Sequence, residues 1–337
     1  MDNMKNQIQY IVDEINKDKF TVLMTSTHPM TDTNICGLDY NFINLNIKEF
    51  PIKWPTSHPI PKNMTIVNSI NDIPYRPDVI LSQNIVDQYN IFKQLSLFFD
   101  CPLIQFEHTL PTDAWKNGGV CEKLLKDANP TLYGFITDFS RKEWLREKSP
   151  TAFTVNHMVD SEHFKPMPEI EKDSVAMVMV NAFKTREWAV GRVDELLQKA
   201  LAKDIVISFF GHNPGFNSIP INKSLIPTTL NRHKIFINTS LRSPIPASLL
   251  EAASCGSVIL STKTCAITDF FEDKKSILYF NNYDECISLI KEVSDNYSNY
   301  KVIGNEARQV VLSKFSKDRY LSQWNDIFKK ALTLYHV

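Results

Sequence analysis

Short apolar runs recur along the chain, each closed by a polar turn and most followed by a stretch of helical periodicity. In the first half they are FTVLMTS (20–26), YNFINLNI (40–47), MTIVNS (64–69), PDVILSQ (77–83), PLIQFEH (102–108), YGFITDF (133–139) and AFTVN (152–156). Helical patterns fall at 4–17, 86–99, 118–128 and 140–148. HPMTDTNICG (28–37) predicts a polar loop after the first strand. The stretch from Pro51 to Pro61, with Trp54, His58 and Lys62 nearby, predicts an irregular loop that is functional or covers a core.

The segment VNHMVDSEHFKPMPEIEKD (155–173) breaks this rhythm with Pro166, Pro168 and a charged run, and predicts an interdomain linker. A second series follows, with strands SVAMVMV (174–180), DIVISFF (204–210), KIFINTS (234–240), Val258 to Leu260 and SILYF (276–280). Its helices are expected at 187–202, 222–232, from about Ala247, and at 282–296, 303–314 and 317–334. Alternating strands and helices predict an α/β protein with parallel sheets covered on both faces. The shared rhythm of the halves predicts two facing Rossmann-like domains.

The segment 234–280 is the sharpest βαβ unit of the chain. The strand 235–237 ends in Asn238, Thr239 and Ser240, and a Ser-Pro-Ile-Pro turn leads into a helix bearing Glu251. Gly256 stops that helix before the next strand. Ligands of open α/β sheets sit beyond the carboxyl ends of such strands and against the following helix N-termini.

Composition narrows the picture. At 337 residues two domains are natural, and a net charge of -1 brings no global attraction to nucleic acid or membrane. Through Asp160 there are 15 Lys and Arg against 19 Asp and Glu, and beyond it 22 against 19, so only the second part has room for a basic patch. Six scattered Cys without a CxxC pair predict reduced, structural thiols in a cytoplasmic protein and argue against a metal site. The first ten residues lack a secretory pattern, and no apolar run approaches the ~18 residues of a membrane span.

Four phrases resemble the retaining nucleotide-sugar glycosyltransferases with two Rossmann-like domains, the GT-B type, family 4 or group 1. VNHMVDSEHFKP is similar to that family's linker, P-N-G-V-D-x-x-x-F-x-P, and LLEAASCGSVILST to its donor-site motif, L-E-A-x-A-x-G-x-P-V-I-x-S. GNEARQVVLSKFSKDRYLSQW resembles its closing segment, and LIQFEHTLP its strand ending in His. The resemblance implies an acceptor-side domain over 1–160, a donor domain over 161–316 and a helix over 317–337 crossing back to the first domain. It also implies a cytoplasmic, metal-independent enzyme without a cofactor, whose donor is a nucleoside-diphosphate sugar.

Site residues follow from the same comparison. Glu251 would accept from both ribose hydroxyls, and Ser243, Pro246, Ala247, Ser248 and Leu249 would present a helix N-terminus to the diphosphate. Arg186 and Lys184 would neutralise the leaving group, beside Asn181. Gly211, His212 and Asn213 would approach the base, and Asn238, Thr239 and Ser240 would line the pocket. His108 would act on the donor sugar, donating to a hydroxyl or stabilising the oxocarbenium-like transition state, with Glu107 and Asp138 as acids to watch. Four family features differ: Ser243 stands where the first of two Glu is usual, Pro246 where Gly is common, the Gly-Gly loop is missing, and in place of the family's more widely spaced Arg and Lys the phrase VNAFKTREW offers Lys184 and Arg186.

The acceptor is open between a saccharide, a lipid-linked saccharide and DNA. INTSLRSPIPASLLEA also looks like compact glycosyltransferases of tailed phages, some of which glycosylate hydroxymethylated cytosine. Ser243 keeps a further alternative open, a nucleotide-sugar-binding protein with a degenerate site.

Overall fold

The computed structural model describes residues 19–26, 29–48, 54, 59–111 and 129–336. The helices expected at 4–17 and 118–128, and most of the Pro51–Pro61 stretch, lie outside them. Trp54 is described, and it is buried. The chain forms two units, residues 1–156 with 320–337, and residues 157–319.

The first unit carries β1 (Thr21–Met24), β2 (Asn41–Leu45), β3 (Met64–Val67), β4 (Val79–Gln83), β5 (Leu103–Glu107), β6 (Leu132–Phe135) and β7 (Ala152–Thr154). They pair in parallel in the order β3-β2-β1-β4-β5-β6-β7. Near-continuous apolar strands suit this, because helices cover both faces of a parallel sheet. Helix Ile85–Phe99 sets Phe92, Leu95 and Phe99 in one core with Leu23, Ile43 and Ile80. Helix Lys317–Tyr335 seats Trp324 with its ring centroid 5.0 Å from that of Phe106.

One expectation here is corrected. Residues 28–37 are not a loop throughout, because helix Pro29–Ile35 occupies most of the segment. Its polar letters conceal an inward side on which Asp32, Ile35 and Cys36 are buried. Tertiary burial decides the matter, not local propensity.

The second unit carries β8 (Ser174–Met179), β9 (Ile207–Phe210), β10 (His233–Asn238), β11 (Val258–Thr262) and β12 (Leu278–Phe280), parallel in the order β12-β11-β10-β8-β9. The chain therefore leaves the middle of the sheet in opposite directions after β8 and β10. Such a reversal opens a crevice at the carboxyl ends of the two strands. The charged run before β8 is tied down: Asn231 Nδ2 donates to Lys165 O at 2.9 Å, and Lys172 Nζ to Asn231 O and His233 O at 3.0 Å.

The single helix expected over 187–202 is split. A 3₁₀ turn Lys184–Arg186 leads into helix Glu187–Val190, and helix Val193–Leu201 starts afresh. Gly191 breaks it at φ 74°, with its α-carbon so near Thr239 O that an added Cβ would lie 2.8 Å away. The break keeps the 184–190 segment short and at the crevice.

Helix Ala247–Ser254 leads out of the crevice and ends at Gly256, against which helix Tyr297–Lys314 packs closely. At Gly304 an added Cβ would lie 2.4 Å from Gly256 O, a backbone atom that cannot swing away. Gly304→Ala is expected to cost about 1–3 kcal/mol, the usual range for overpacking. A thermal melt checks it, with a fall of several degrees expected and an unchanged midpoint the contrary result.

Candidate functional site

A cavity of about 710 Å³ occupies the crevice of the second sheet. That is within the range of small-molecule sites. Val178 to Asn181 line it from the end of β8, and Phe236 to Ser240 from the end of β10. Gly211 and His212 border it after β9, and Pro220, Ile221 and Ile226 supply an apolar wall. Ser243, Pro246, Ala247, Ser248 and Glu251 complete it from the start of helix Ala247–Ser254.

The turn after β10 is held by its own polar groups. Thr239 Oγ1 donates to Val190 O at 2.7 Å, and Asn238 Nδ2 to Ser261 Oγ at 2.9 Å. Thr262 and Thr264 hydroxyls donate to Ser240 O at 2.9 and 2.6 Å. Ser243 N donates to Cys265 Sγ at 3.0 Å. Pro246 is the helix N-cap and no side chain caps the first turn, so its N–H groups remain available beside the cavity. The β8 and β9 loops are locked as well, since His212 N donates to Asn181 Oδ1 at 2.7 Å. Gly211, at φ 125°, leaves no room for a side chain: a Cβ would lie 2.1 Å from Val180 O.

Charge is arranged unevenly. Arg186, Lys223 and Arg242 line the cavity, with Glu251 the lining carboxylate opposite them in sign. Burial raises the Glu251 carboxyl to about 7, and the nearby Lys223 ammonium partly opposes that shift. Neither the Glu251 carboxylate nor the Arg186 guanidinium has a hydrogen-bond or ion-pair partner among the described residues. A desolvated carboxylate without a partner costs free energy, which a ligand with two hydroxyls recovers.

In the first unit, His108 follows β5 and is buried, with its ring edge-on to Phe106. Glu107 is fully buried and accepts from Gln105 Nε2 at 2.8 Å and from Tyr133 OH at 3.4 Å. Burial, and after it the Glu107 carboxylate, push the Tyr133 phenol far up. Asp138 is exposed and accepts from Thr154 Oγ1 at 2.7 Å.

Residues 186–326 match the model of a family described as glycosyl transferase-like. Among solved structures, HepE from Anabaena in complex with UDP superposes with a TM-score of 0.67 at 12% identity, covering 92% of this chain and 99% of the other. Sucrose-phosphate synthase from Thermosynechococcus elongatus gives 0.71 at 11% identity, over 94% and 100%. A glycosyltransferase from Rickettsia africae gives 0.66 at 14%, over 94% and 99%. The chain is a glycosyltransferase of the GT-B fold. No curated protein matches its sequence.

Most of the residues singled out in the glycosyltransferase's sequence converge on this cavity. Asn181, Arg186, Gly211, His212, Asn238, Thr239, Ser240, Ser243, Pro246, Ala247, Ser248 and Glu251 all line it. Three do not. Lys184 Nζ is 2.7 Å from both Glu187 Oε1 and Asp194 Oδ2, and these carboxylates hold it outside the cavity lining. Asn213 is an internal brace, accepting from Phe183 N at 3.1 Å and donating to Val180 O at 2.9 Å. The Leu249 side chain is fully buried. His108 belongs to the first unit.

Lys223 and Arg242 line the cavity although the sequence reading passed them over. Arg242 sits inside the phrase that carried the motif, next to Ser243. Lys223 lies in a segment read only as helical, and no sequence signal places it here. No helix among the described residues is long and apolar enough to cross a membrane, and no cluster of three metal-ligating side chains occurs among them.

Proposed function

We propose that this glycosyltransferase binds a nucleoside-diphosphate sugar in the cavity of its second unit and transfers the sugar, with retention, to an acceptor hydroxyl. The unpartnered Glu251 carboxylate in that cavity carries the reading. It is the acceptor for the two hydroxyls of a ribose, and a ribose so held directs its diphosphate toward the helix start at Ala247 and Ser248. The first-turn N–H groups and Arg186 then take the phosphate charge, which grows as the sugar leaves. Gly211 and His212 flank the base, with Pro220 and Ile221 as the apolar surface beside it. The pyrophosphate charge is met by protein groups, so the reaction is proposed to need neither metal nor cofactor and to run in the cytoplasm.

Uridine diphosphate is the first nucleotide to try, because HepE is seen with UDP and with UDP-glucose. The first unit is proposed to hold the acceptor and to contribute His108 to catalysis. For the acceptor we favour a saccharide or lipid-linked saccharide, given the acidic balance of the first 160 residues. Duplex DNA carrying hydroxymethylated cytosine is the second reading, resting on the phage-like phrase, and salt-sensitive binding to that duplex would favour it.

A thermal-shift panel of nucleoside-diphosphate sugars tests the donor assignment. A donor at a hundred times its Kd stabilises the fold by about 2.7 kcal/mol, so the melting point should rise clearly. A panel without any response would overturn the donor site.

A further inference from the structure

The strand order of the first sheet also reverses, between β1 and β4. At that point three elements contribute one connected set of buried polar groups. Asp32 comes from the helix after β1, Gln83 from the end of β4, and His108 from just past β5. Gln83 Nε2 donates to Asp32 Oδ1 at 2.9 Å and to Thr25 O at 3.1 Å. Gln83 Oε1 lies 2.6 Å from His108 Nε2. The next residue, Asn84, accepts from His108 N at 3.0 Å through its Oδ1. Asn84 does so at φ 61°, a left-handed conformation that asparagine tolerates at a cost of order 1 kcal/mol.

The orientation of the Gln83 amide is determined by its partners. Its nitrogen faces two acceptors, so its oxygen faces the histidine. An amide oxygen only accepts, and the ring nitrogen opposite it must therefore carry the hydrogen. A neutral imidazole with its hydrogen on Nε2 has its lone pair on Nδ1.

We propose that Gln83, oriented by Asp32, and Asn84 are positioning residues that hold His108 as the Nε2–H tautomer, so that its Nδ1 serves the transfer reaction as a hydrogen-bond acceptor. This rests on the reading of His108 as part of the catalytic machinery, and it refines that reading. The resemblance alone leaves His108 as a donor to a sugar hydroxyl; the amide network makes it an acceptor while the ring is neutral. The chain Asp32–Gln83–His108 favours one ring nitrogen over the other, as outer partners of functional histidines do. A positioning network differs from a purely structural one in that turnover falls when that preference is removed.

The test uses the full chain labelled with ¹⁵N-histidine, observed at about pH 8, where an ordinary imidazole is neutral. Long-range proton–nitrogen correlations report the tautomer, and His108→Gln assigns the signal by its disappearance. The wild-type protein should show Nε2–H, a reading that requires no change at Gln83. Gln83→Leu should populate both tautomers and lower kcat by about ten- to a hundredfold, with the donor KM within about twofold. An Nδ1–H ring in the wild type, or a Gln83→Leu protein with unchanged tautomer and kcat, would overturn the proposal. If His108→Gln turns over normally, the role of His108 and its positioning fall together. The donor site, read independently by thermal shift, would stand.

Discussion

Arg186→Ala is expected to lower turnover by about two orders of magnitude while weakening donor binding much less. The guanidinium lines the cavity at the end of the Lys184–Arg186 turn, and it has no protein partner among the described residues. Its charge is therefore available to the leaving diphosphate, whose negative charge rises as the glycosidic bond breaks. Removing one such preorganised group typically costs about 10²–10³ in kcat, because it acts on the transition state more than on the ground state. Lys184→Ala is the matched control. That ammonium lies two residues away but is bound to Glu187 and Asp194, so its loss should leave kcat near the wild-type value. Single-turnover assays with both variants separate the two roles. Equal losses in the two, or none in Arg186→Ala, would return the diphosphate assignment to the helix terminus alone.

Glu251→Ala should weaken nucleotide-sugar binding by one to two orders of magnitude, and the same change should raise the melting point of the empty protein. The first effect is the loss of charge-assisted hydrogen bonds to a ribose, worth roughly 1.5–3 kcal/mol. The second follows from linkage. Burial raises the carboxyl from 4.5 to about 7, so the folded state favours its protonated form. The stability this gives is complete below about 4.5 and is lost as pH rises through about 7. At pH 8 the wild type thus carries the penalty of a desolvated carboxylate, and alanine does not. Donor binding runs in the opposite direction, because the ionised form is the better acceptor, and wild-type affinity should fall as pH drops below about 7. Calorimetry across pH 6–8 together with thermal melts distinguishes a ligand-binding carboxylate from a structural one. A variant with normal donor affinity, or one that is merely less stable, would count against the ribose role.

Opposed signs of this kind are common where function requires an unfavourable group. The empty cavity keeps a carboxylate that the fold would be more stable without. Arg186 is the cationic counterpart, an exposed guanidinium without a carboxylate to hold it.

Much of this site was legible in the sequence, for a definite reason. The apolar runs at 174–180, 234–240 and 258–260 each end in polar residues, and parallel strands put such residues at one edge of the sheet. Glu251 and the turn from Ser243 to Ser248 were readable because they lie within one contiguous phrase. Lys184 was misplaced for the complementary reason. It is two residues from Arg186 in sequence, but Asp194, in the next helix, draws it away. Asn213 was misread in the same manner: its amide spans two loops that only the fold brings together. Helix Pro29–Ile35 was hidden because its inward side includes Asp32, a residue that accepts a hydrogen bond from Gln83, 51 positions further on.

By itself, the sequence determined the α/β class, the run of parallel strands in each half, and the helix that carries Glu251. These depend on periodicity and on contacts between near neighbours, which a linear pattern records. Tertiary structure alone decided that β8 and β10 lie side by side. Their adjacency places the strand reversal, and with it the cavity, between segments some sixty residues apart. It also decided which of two neighbouring cations remains available to a ligand, and which side chain lies against Nε2 of His108. Those outcomes depend on partners distant in sequence, whose distances and orientations arise only when the sheets form.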